Sequence, residues 1–368
     1  MNIGLDGNEA NVKNRVGSGQ YAASMLAEFA QIKNHNFIVY LKENPQADLP
    51  KETSNFKYKV FGPKKFWTQI ALPIKLTFGQ KLDIFFTLGH YGPRFSKIPY
   101  VVTIFDLSYL HYPNLFNKND LYQLVNWSKY SIQNAKHIFA ISKSTKEDIV
   151  KNYKIHPSKI SITYMGYDQK IFKPQSASTI DKVKTKYKIK GDYIIFVGTL
   201  QPRKNIERLV EAFSVLKLKN KNLKLVIVGR KGWLYDSIFE KVKDLGLEGK
   251  IIFTDFVQQN DMPPLIAGAK VYVLPSLYEG FGIPVVEAQA CGVPVVVSNT
   301  SSLPEVVGDS GITVDPTNVK SITEGIEKIL TNPKLATDFS QKGLINVKRF
   351  SWQKCAAETL KVLESAAK

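Results

Sequence analysis

The sequence predicts an α/β protein made of two doubly wound, parallel-sheet domains. Short runs rich in Val, Ile and Phe alternate with helix-period segments from one end to the other. The runs stay apolar over roughly four to eight residues instead of alternating, as strands do when helices cover both faces. At 368 residues the chain exceeds what one core organises, and about 100–200 residues per domain gives two.

The elements follow in order. Asn2–Leu5 reads as a buried strand entering a polar turn, and NRVGSGQY (14–21) opens a helix over Tyr21–Ala30. Strands are expected at 36–41, 56–61, 83–88, 99–105, 137–142 and 160–165. A Pro- and Ser-containing stretch with a charged helix (170–192) separates this set from the next, placing the boundary near Pro174. Strands at 192–198, 223–229, 250–256, 269–275, 293–298 and 311–314 form the second set, with helices at Ile206–Leu218 and Ile322–Leu330. Such alternation implies βαβ units with right-handed crossovers. Ser351–Ala367 reads as an amphipathic helix with Trp352, Ala356, Leu360 and Leu363 on one face. The expected organisation is therefore 1–174, 175–350, and a C-terminal helix 351–368 packing back on the first domain. Ligands of such sheets bind beyond the carboxyl ends of the strands, here in a central cleft that the two domains face.

Composition excludes several classes. With 44% hydrophobic and 22% charged residues, the chain is not disordered, collagen-like or repetitive. Cys291 and Cys355 make neither a disulfide framework nor a zinc site. No run reaches the ~18 apolar residues of a spanning helix, and the start, MNIGLDGNEANVK, is not a signal peptide. A cytoplasmic protein is expected. The formal charge is +18, with 23 basic and 12 acidic residues in 1–174 against 27 and 20 in 175–368. Such a surface attracts nucleic acid, anionic lipid or a phosphorylated substrate, although a Lys-rich solvated surface explains much of it. No aromatic RNA-binding motif accompanies the charge, so nucleic acid is not an expected partner.

Four segments carry candidate chemistry. In LPSLYEGFGIPVVEAQACGVPVVVSN (274–299) a strand ends, Glu279, Gly280, Phe281 and Gly282 form a loop, and a helix opened by Pro284 carries Glu287. Glycines let backbone approach a ligand, and a helix start favours an anion. Glu279 would face the cleft and Glu287 would accept hydrogen bonds from a ribose diol. In FVGTLQPRKNIERLVEAF (196–213), Gly198 ends a strand and Arg203 and Lys204 follow beside a helix start. Such cations suit a diphosphate, though they equally suit solvent. The Gly17-Ser18-Gly19 turn either approaches a phosphate or is simply a tight turn. Asp106, at a strand's carboxyl end, either orients a hydroxyl or caps a helix, and His90 and His111 are lone histidines. No Asp-x-Asp, GxxxxGK[ST] or GxSxG pattern occurs, which removes P-loop and α/β-hydrolase chemistry.

These segments resemble the retaining glycosyltransferases of family 4, with the two-Rossmann GT-B architecture. The resemblance covers nearly the whole chain and is strongest from LPSLYEGFGIPVVEAQACGVPVV to NTSSLPEVVGDSGITVDP (299–316), where Glu279 and Glu287 form an E-x7-E signature. It implies transfer of a sugar from a nucleotide-sugar to an acceptor hydroxyl, with retention, no metal and no cofactor. By carry-over, Glu287 binds ribose, Arg203 and Lys204 neutralise the diphosphate, and Glu279 with Gly280–Gly282 holds the donor sugar. Gly198 belongs to the same loop, and Gly17 and Gly19 approach the diphosphate. The PRKN loop resembles that of mannosyltransferases using GDP-mannose. Two departures stand out. Phe105 replaces a family histidine before Asp106, leaving His90 or His111 to substitute, and Thr199 stands where relatives carry arginine, leaving Arg203 to supply the cation.

KKFWTQIALPIKL (64–76) interleaves Lys64, Lys65 and Lys75 with Phe66, Trp67, Ile70 and Leu72. It would either pack on the sheet or lie on an anionic membrane and meet a lipid-linked acceptor. The expectation is thus a cytoplasmic, peripherally membrane-associated transferase building cell-surface polysaccharide. A soluble small-molecule transferase or sugar-phosphate synthase, and a catalytically degraded glycan-binding protein, are its rivals.

Overall fold

The structure is a computed structural model describing residues 1–368. It divides into one unit of Met1–Gly166 with Ser351–Lys368, and a second of Tyr167–Phe350. In the first unit, β1 (Asn2–Asp6), β2 (Asn36–Leu41), β3 (Phe56–Val60), β4 (Ile84–Thr87), β5 (Tyr100–Ile104), β6 (His137–Ala140) and β7 (Ile160–Ile162) form one sheet. Its order is β3-β2-β1-β4-β5-β6-β7, and every pairing is parallel. The second unit carries β8 (Tyr193–Val197), β9 (Lys224–Val228), β10 (Ile251–Phe253), β11 (Val271–Leu274), β12 (Val295–Ser298) and β13 (Ile312–Val314). These run β10-β9-β8-β11-β12-β13, again all parallel.

Each apolar run forms a strand, trimmed at its ends where the neighbouring strand stops. All five residues of β5 and of β8 are buried, as continuous apolarity requires when helices cover both faces. Helix α1 (Ser18–Phe29) buries Tyr21, Ala22, Met25, Leu26 and Phe29, one stripe at helical spacing. The Tyr21 hydroxyl reaches Thr103 Oγ1 on β5 at 3.2 Å.

The helix Trp352–Ala366 belongs to the first unit. Its Trp352 ring meets Tyr21 edge-on at 6.0 Å, and Gln353 Nε2 donates to Glu28 Oε1 at 2.9 Å. His35 Nε2 and Glu364 Oε1 are 2.9 Å apart. The expected boundary at Pro174 moves upstream, because residues 167–174 lie in the second unit. There Phe172 is buried and Gln169 Nε2 donates to Phe350 O at 3.4 Å.

Gly166 marks the upstream crossing. A Cβ added there would collide with backbone atoms of Ser351 and Trp352, which no rotamer change relieves. Gly166→Ala should therefore lower unfolding free energy by about 2–4 kcal/mol, as overpacking against rigid neighbours does, and a denaturant midpoint series checks this.

Candidate functional site

The strand order sets the place. In the second sheet the chain leaves β8 toward β9 on one side, while β11 leads to β12 on the other. The loops after β8 and β11 diverge, opening the crevice where ligands of such sheets bind. After β8 come Gly198, a 3-10 turn over Pro202–Lys204 and the helix Ile206–Lys219. After β11 come residues 275–282 and the helix Ile283–Ala290.

Main-chain contacts join the two loops. Leu277 N donates to Arg203 O at 2.9 Å. Asn205 Nδ2 donates to Pro275 O at 2.8 Å and to Pro316 O at 2.7 Å. Across this seam Lys204 Nζ lies 2.6 Å from Glu279 Oε1, and Arg203 lies 3.4 Å from Glu279 Oε2 while also donating to Tyr278 O. All three side chains are largely buried. Burial would raise the Glu279 carboxyl, but the charges of Lys204 and Arg203, with the Lys204 hydrogen bond, overcome it and hold its pKa below the ordinary value. Two cations against one carboxylate leave the cluster net positive.

The Glu279 loop is braced from behind by serines that sequence reasoning did not single out. Ser301 Oγ accepts from Glu279 N at 2.9 Å, and Ser302 Oγ donates to Glu279 O at 2.9 Å and to Phe281 O at 3.0 Å. Their signal was present: two hydroxyls just before a proline-bearing helix start. Gly282, at φ 102°, precedes the helix Ile283–Ala290, and a Cβ there would meet Leu303 Cδ2 at 2.8 Å, so glycine alone fits this turn. The Phe281 ring turns inward, edge-on to Phe350 at 5.4 Å, leaving only backbone at that position for a ligand. Glu287 sits one turn into the helix, partly buried, its carbonyl accepting from Cys291 N at 3.0 Å and its carboxylate without a hydrogen bond. Burial, then the Asp168 charge, pushes its carboxyl up to about 8. The structure therefore gathers Gly198, Arg203, Lys204, Glu279, Gly280, Phe281, Gly282 and Glu287 on adjoining loops, and adds Asp168.

The first sheet reverses between β1 and β4, and a cavity of about 340 Å³ opens at their carboxyl ends. Asp6, Glu9, Thr87, His90, Tyr91 and Trp127 line it, with Lys42, Lys64, Lys65 and Phe66. Burial raises Asp6 to about 6. Thr87 Oγ1 and His90 Nδ1 are buried without a partner. His90 packs against Phe105 at 5.3 Å between ring centres. Burial lowers its pKa, against the opposing charges of Asp106 and Glu9, so the imidazole is neutral at pH 7. Gly17, at φ 51°, starts α1, and Gly19 lies in its first turn. Ser18 Oγ donates to Glu9 Oε2 at 2.8 Å there.

Other expected positions fall differently. Asp106 Oδ1 accepts from Ser108 N at 2.9 Å and Ser108 Oγ at 2.6 Å, just before a short helix whose N-cap is Leu107. His111 pairs with Asp148 at 2.9 Å, while His90 is the histidine whose ring packs on Phe105. Lys64 pairs with Glu43 at 3.0 Å, and Lys65 lies over the Phe66 ring at 5.4 Å. Trp67 is not a surface anchor: it is buried, with Nε1 donating to Phe61 O at 3.1 Å. Leu72 is buried too. The reason is a π turn over Trp67–Ala71, which rotates these side chains onto the sheet.

Two parallel sheets with this strand order, and a cationic cluster at one switch point, define a doubly wound α/β architecture of two domains. Residues 178–346 match the family described as Glycosyl transferases group 1, and residues 17–170 match Glycosyltransferase Family 4. The chain is 33% identical to the O-antigen chain mannosyltransferase B of Escherichia coli, over 74% of this chain and 72% of that one. It is 31% identical to a Campylobacter jejuni N-acetylgalactosaminyltransferase named for a diphospho-undecaprenol acceptor, over 68% and 66% respectively. Among solved structures, Anabaena HepE with UDP and glucose superimposes with a TM-score of 0.78 at 18% identity, covering 99% of each chain. The chain belongs to the group 1 glycosyl transferases, with the GT-B fold.

The Glu287 pKa has a consequence for stability. A carboxyl raised from 4.5 to about 8 binds its proton more tightly in the folded protein. Its stabilising contribution is complete below pH 4.5 and is lost as pH rises through about 8. Glu287→Gln should thus melt higher than the wild type above pH 8 and equally below pH 4.5, which calorimetry across that range checks.

Proposed function

We propose that the protein is a retaining, metal-independent hexosyltransferase that moves mannose from GDP-mannose to a hydroxyl of a glycan or lipid-linked acceptor in cell-surface polysaccharide assembly. The observation that carries this reading is the Arg203–Lys204–Glu279 cluster at the β8/β11 switch point. When a sugar leaves a nucleoside diphosphate, negative charge grows on the phosphate and positive charge on the sugar. Fixed donors and cations stabilise the former, and they need no reorganisation at the moment of reaction. Arg203 and Lys204 supply two such charges without a divalent ion, and the backbone of Gly280–Gly282 leads to a helix start suited to an anion. Glu279 orients the two cations from below and bounds the sugar position. The Glu287 carboxylate, which makes no hydrogen bond within the protein, accepts the ribose hydroxyls.

In the first unit, the cavity beside His90 takes the acceptor. Its unpaired Thr87 hydroxyl and His90 Nδ1 offer hydrogen bonds to sugar hydroxyls, and Tyr91 and Trp127 offer stacking faces. His90 stands in for the histidine that Phe105 displaces, and Asp106 fixes the loop beside it. Gly17 and Gly19 supply backbone at the start of α1. The name of the Escherichia coli relative supports mannose and a polysaccharide product. The Glu279/Glu287 signature supports retention.

A donor screen tests the reading. Purified protein in EDTA should be stabilised by GDP-mannose over UDP-, ADP- and dTDP-sugars and should slowly release its diphosphate; stabilisation by a different nucleotide-sugar alone would displace the donor assignment. Turnover should survive EDTA unchanged, and rescue only by added Mg²⁺ would end the metal-independent mechanism. Lys204→Ala should reduce kcat by ~10²–10³, the effect of removing one charge-stabilising donor, with stopped-assay kinetics as the readout.

A further inference from the structure

The π turn that turns Trp67 inward has a second effect. Phe66, Ile70, Ile74 and Phe78 are 53%, 51%, 55% and 84% exposed, at a spacing of four along the turn and α2 (Leu72–Phe78). In a regular α-helix every fourth residue drifts by about 40°; the wider π turn offsets part of that drift for Ile70, Ile74 and Phe78, and Phe66 caps the turn in the left-handed region. The opposite side holds Trp67, Ala71, Leu72 and Leu76 in the core, so the exposed stripe has no room to turn inward. Single exposed apolar residues need no explanation, but four in register do.

The surrounding charge is one-sided. Residues 53–82 contain six lysines (57, 59, 64, 65, 75 and 81) and no Asp or Glu. Lys59 on the edge strand reaches Gln80 Oε1 at 2.9 Å, which ties β3 to the end of this segment. Glu43 pairs with Lys64, an exposed pair of little strength in water. An apolar stripe flanked by cations matches the boundary of a bilayer, where acyl chains meet anionic headgroups.

We propose that Phe66, Ile70, Ile74 and Phe78, with the lysines around them, dock the first unit on an anionic phospholipid bilayer. Phe66 and Lys65 also line the first-unit cavity, so docking brings that cavity to the lipid surface. This extends the transferase reading, on which it rests for the identity of the cavity's ligand, by making the acceptor one carried on a lipid. No helix of the structure is long and apolar enough to cross a membrane.

Flotation with vesicles tests the proposal, using equimolar phosphatidylcholine and phosphatidylglycerol against phosphatidylcholine alone. The full chain should float with the anionic vesicles only, and less as salt rises. The triple variant Ile70→Ser, Ile74→Ser, Phe78→Ser should lose at least ~10-fold in partitioning with unchanged melting, because all three side chains are exposed. Replacing Lys59, Lys75 and Lys81 by Gln should cost about fivefold per lysine. Equal binding to neutral vesicles, or full binding by the apolar triple variant, would overturn the proposal. So would a concentration-dependent dimer abolished by that variant without vesicle binding, since a second copy would then cover the stripe. Transfer to a soluble acceptor with no vesicle binding would defeat docking alone. Vesicle binding without turnover of any nucleotide-sugar would leave docking standing and defeat the transferase reading.

Discussion

Burying a carboxylate costs several kcal/mol unless cations reach it, and in this protein that requirement joins two loops from different strands. Glu279 arrives after β11, Lys204 and Arg203 after β8. Neither loop satisfies its charge alone, so each fixes the other. Asn205 and the Leu277–Arg203 main-chain bond reinforce the same seam, while Ser301 and Ser302 hold Glu279 from the far side. The cations are thus oriented before any ligand arrives. A phosphate entering the crevice meets charge whose conformational entropy has already been lost in folding, which is the condition under which electrostatic stabilisation is strongest.

The same topology carries different side chains in the two units. Both sheets reverse direction between neighbouring strands, β1/β4 in one and β8/β11 in the other, and both place their chemistry at the carboxyl ends there. The second unit puts two paired cations at that point. The first lines its cavity with Asp6, Glu9 and His90 together with Lys42, Lys64 and Lys65. A fold rule fixes where a ligand goes, and the side chains decide which ligand.

Much of this was legible in the residues. Continuous apolar runs such as YIIFV and VYVL could only be strands covered on both faces, and the sheets follow from them. The pairing of Arg203 and Lys204 with Glu279 was not legible, because residues 75 or so apart meet only through strand order. The E-x7-E spacing located both carboxylates but not their opposite fates: one is ionised by two cations, the other raised by burial and Asp168. The segment 64–76 misled for a local reason. Helical periodicity assumes 3.6 residues per turn, and the π turn at Trp67–Ala71 breaks that register, exchanging Trp67 and Leu72 for Ile74 and Phe78 on the outer face. Asp106 had two readings of equal merit; its carboxylate accepts from the Ser108 amide and hydroxyl, and its charge also reaches His90.

The return of the helix Trp352–Ala366 to the first unit also bears on how the molecule is made. During synthesis the seven strands of that unit emerge first, yet the helix that packs on α1 emerges only after the whole of Tyr167–Phe350. Until then part of the apolar surface around Tyr21 stays uncovered, the condition under which nascent chains aggregate or engage chaperones. The inserted unit, continuous in sequence, can complete its own core earlier. The first unit therefore completes its core only after the whole of Tyr167–Phe350 has been made.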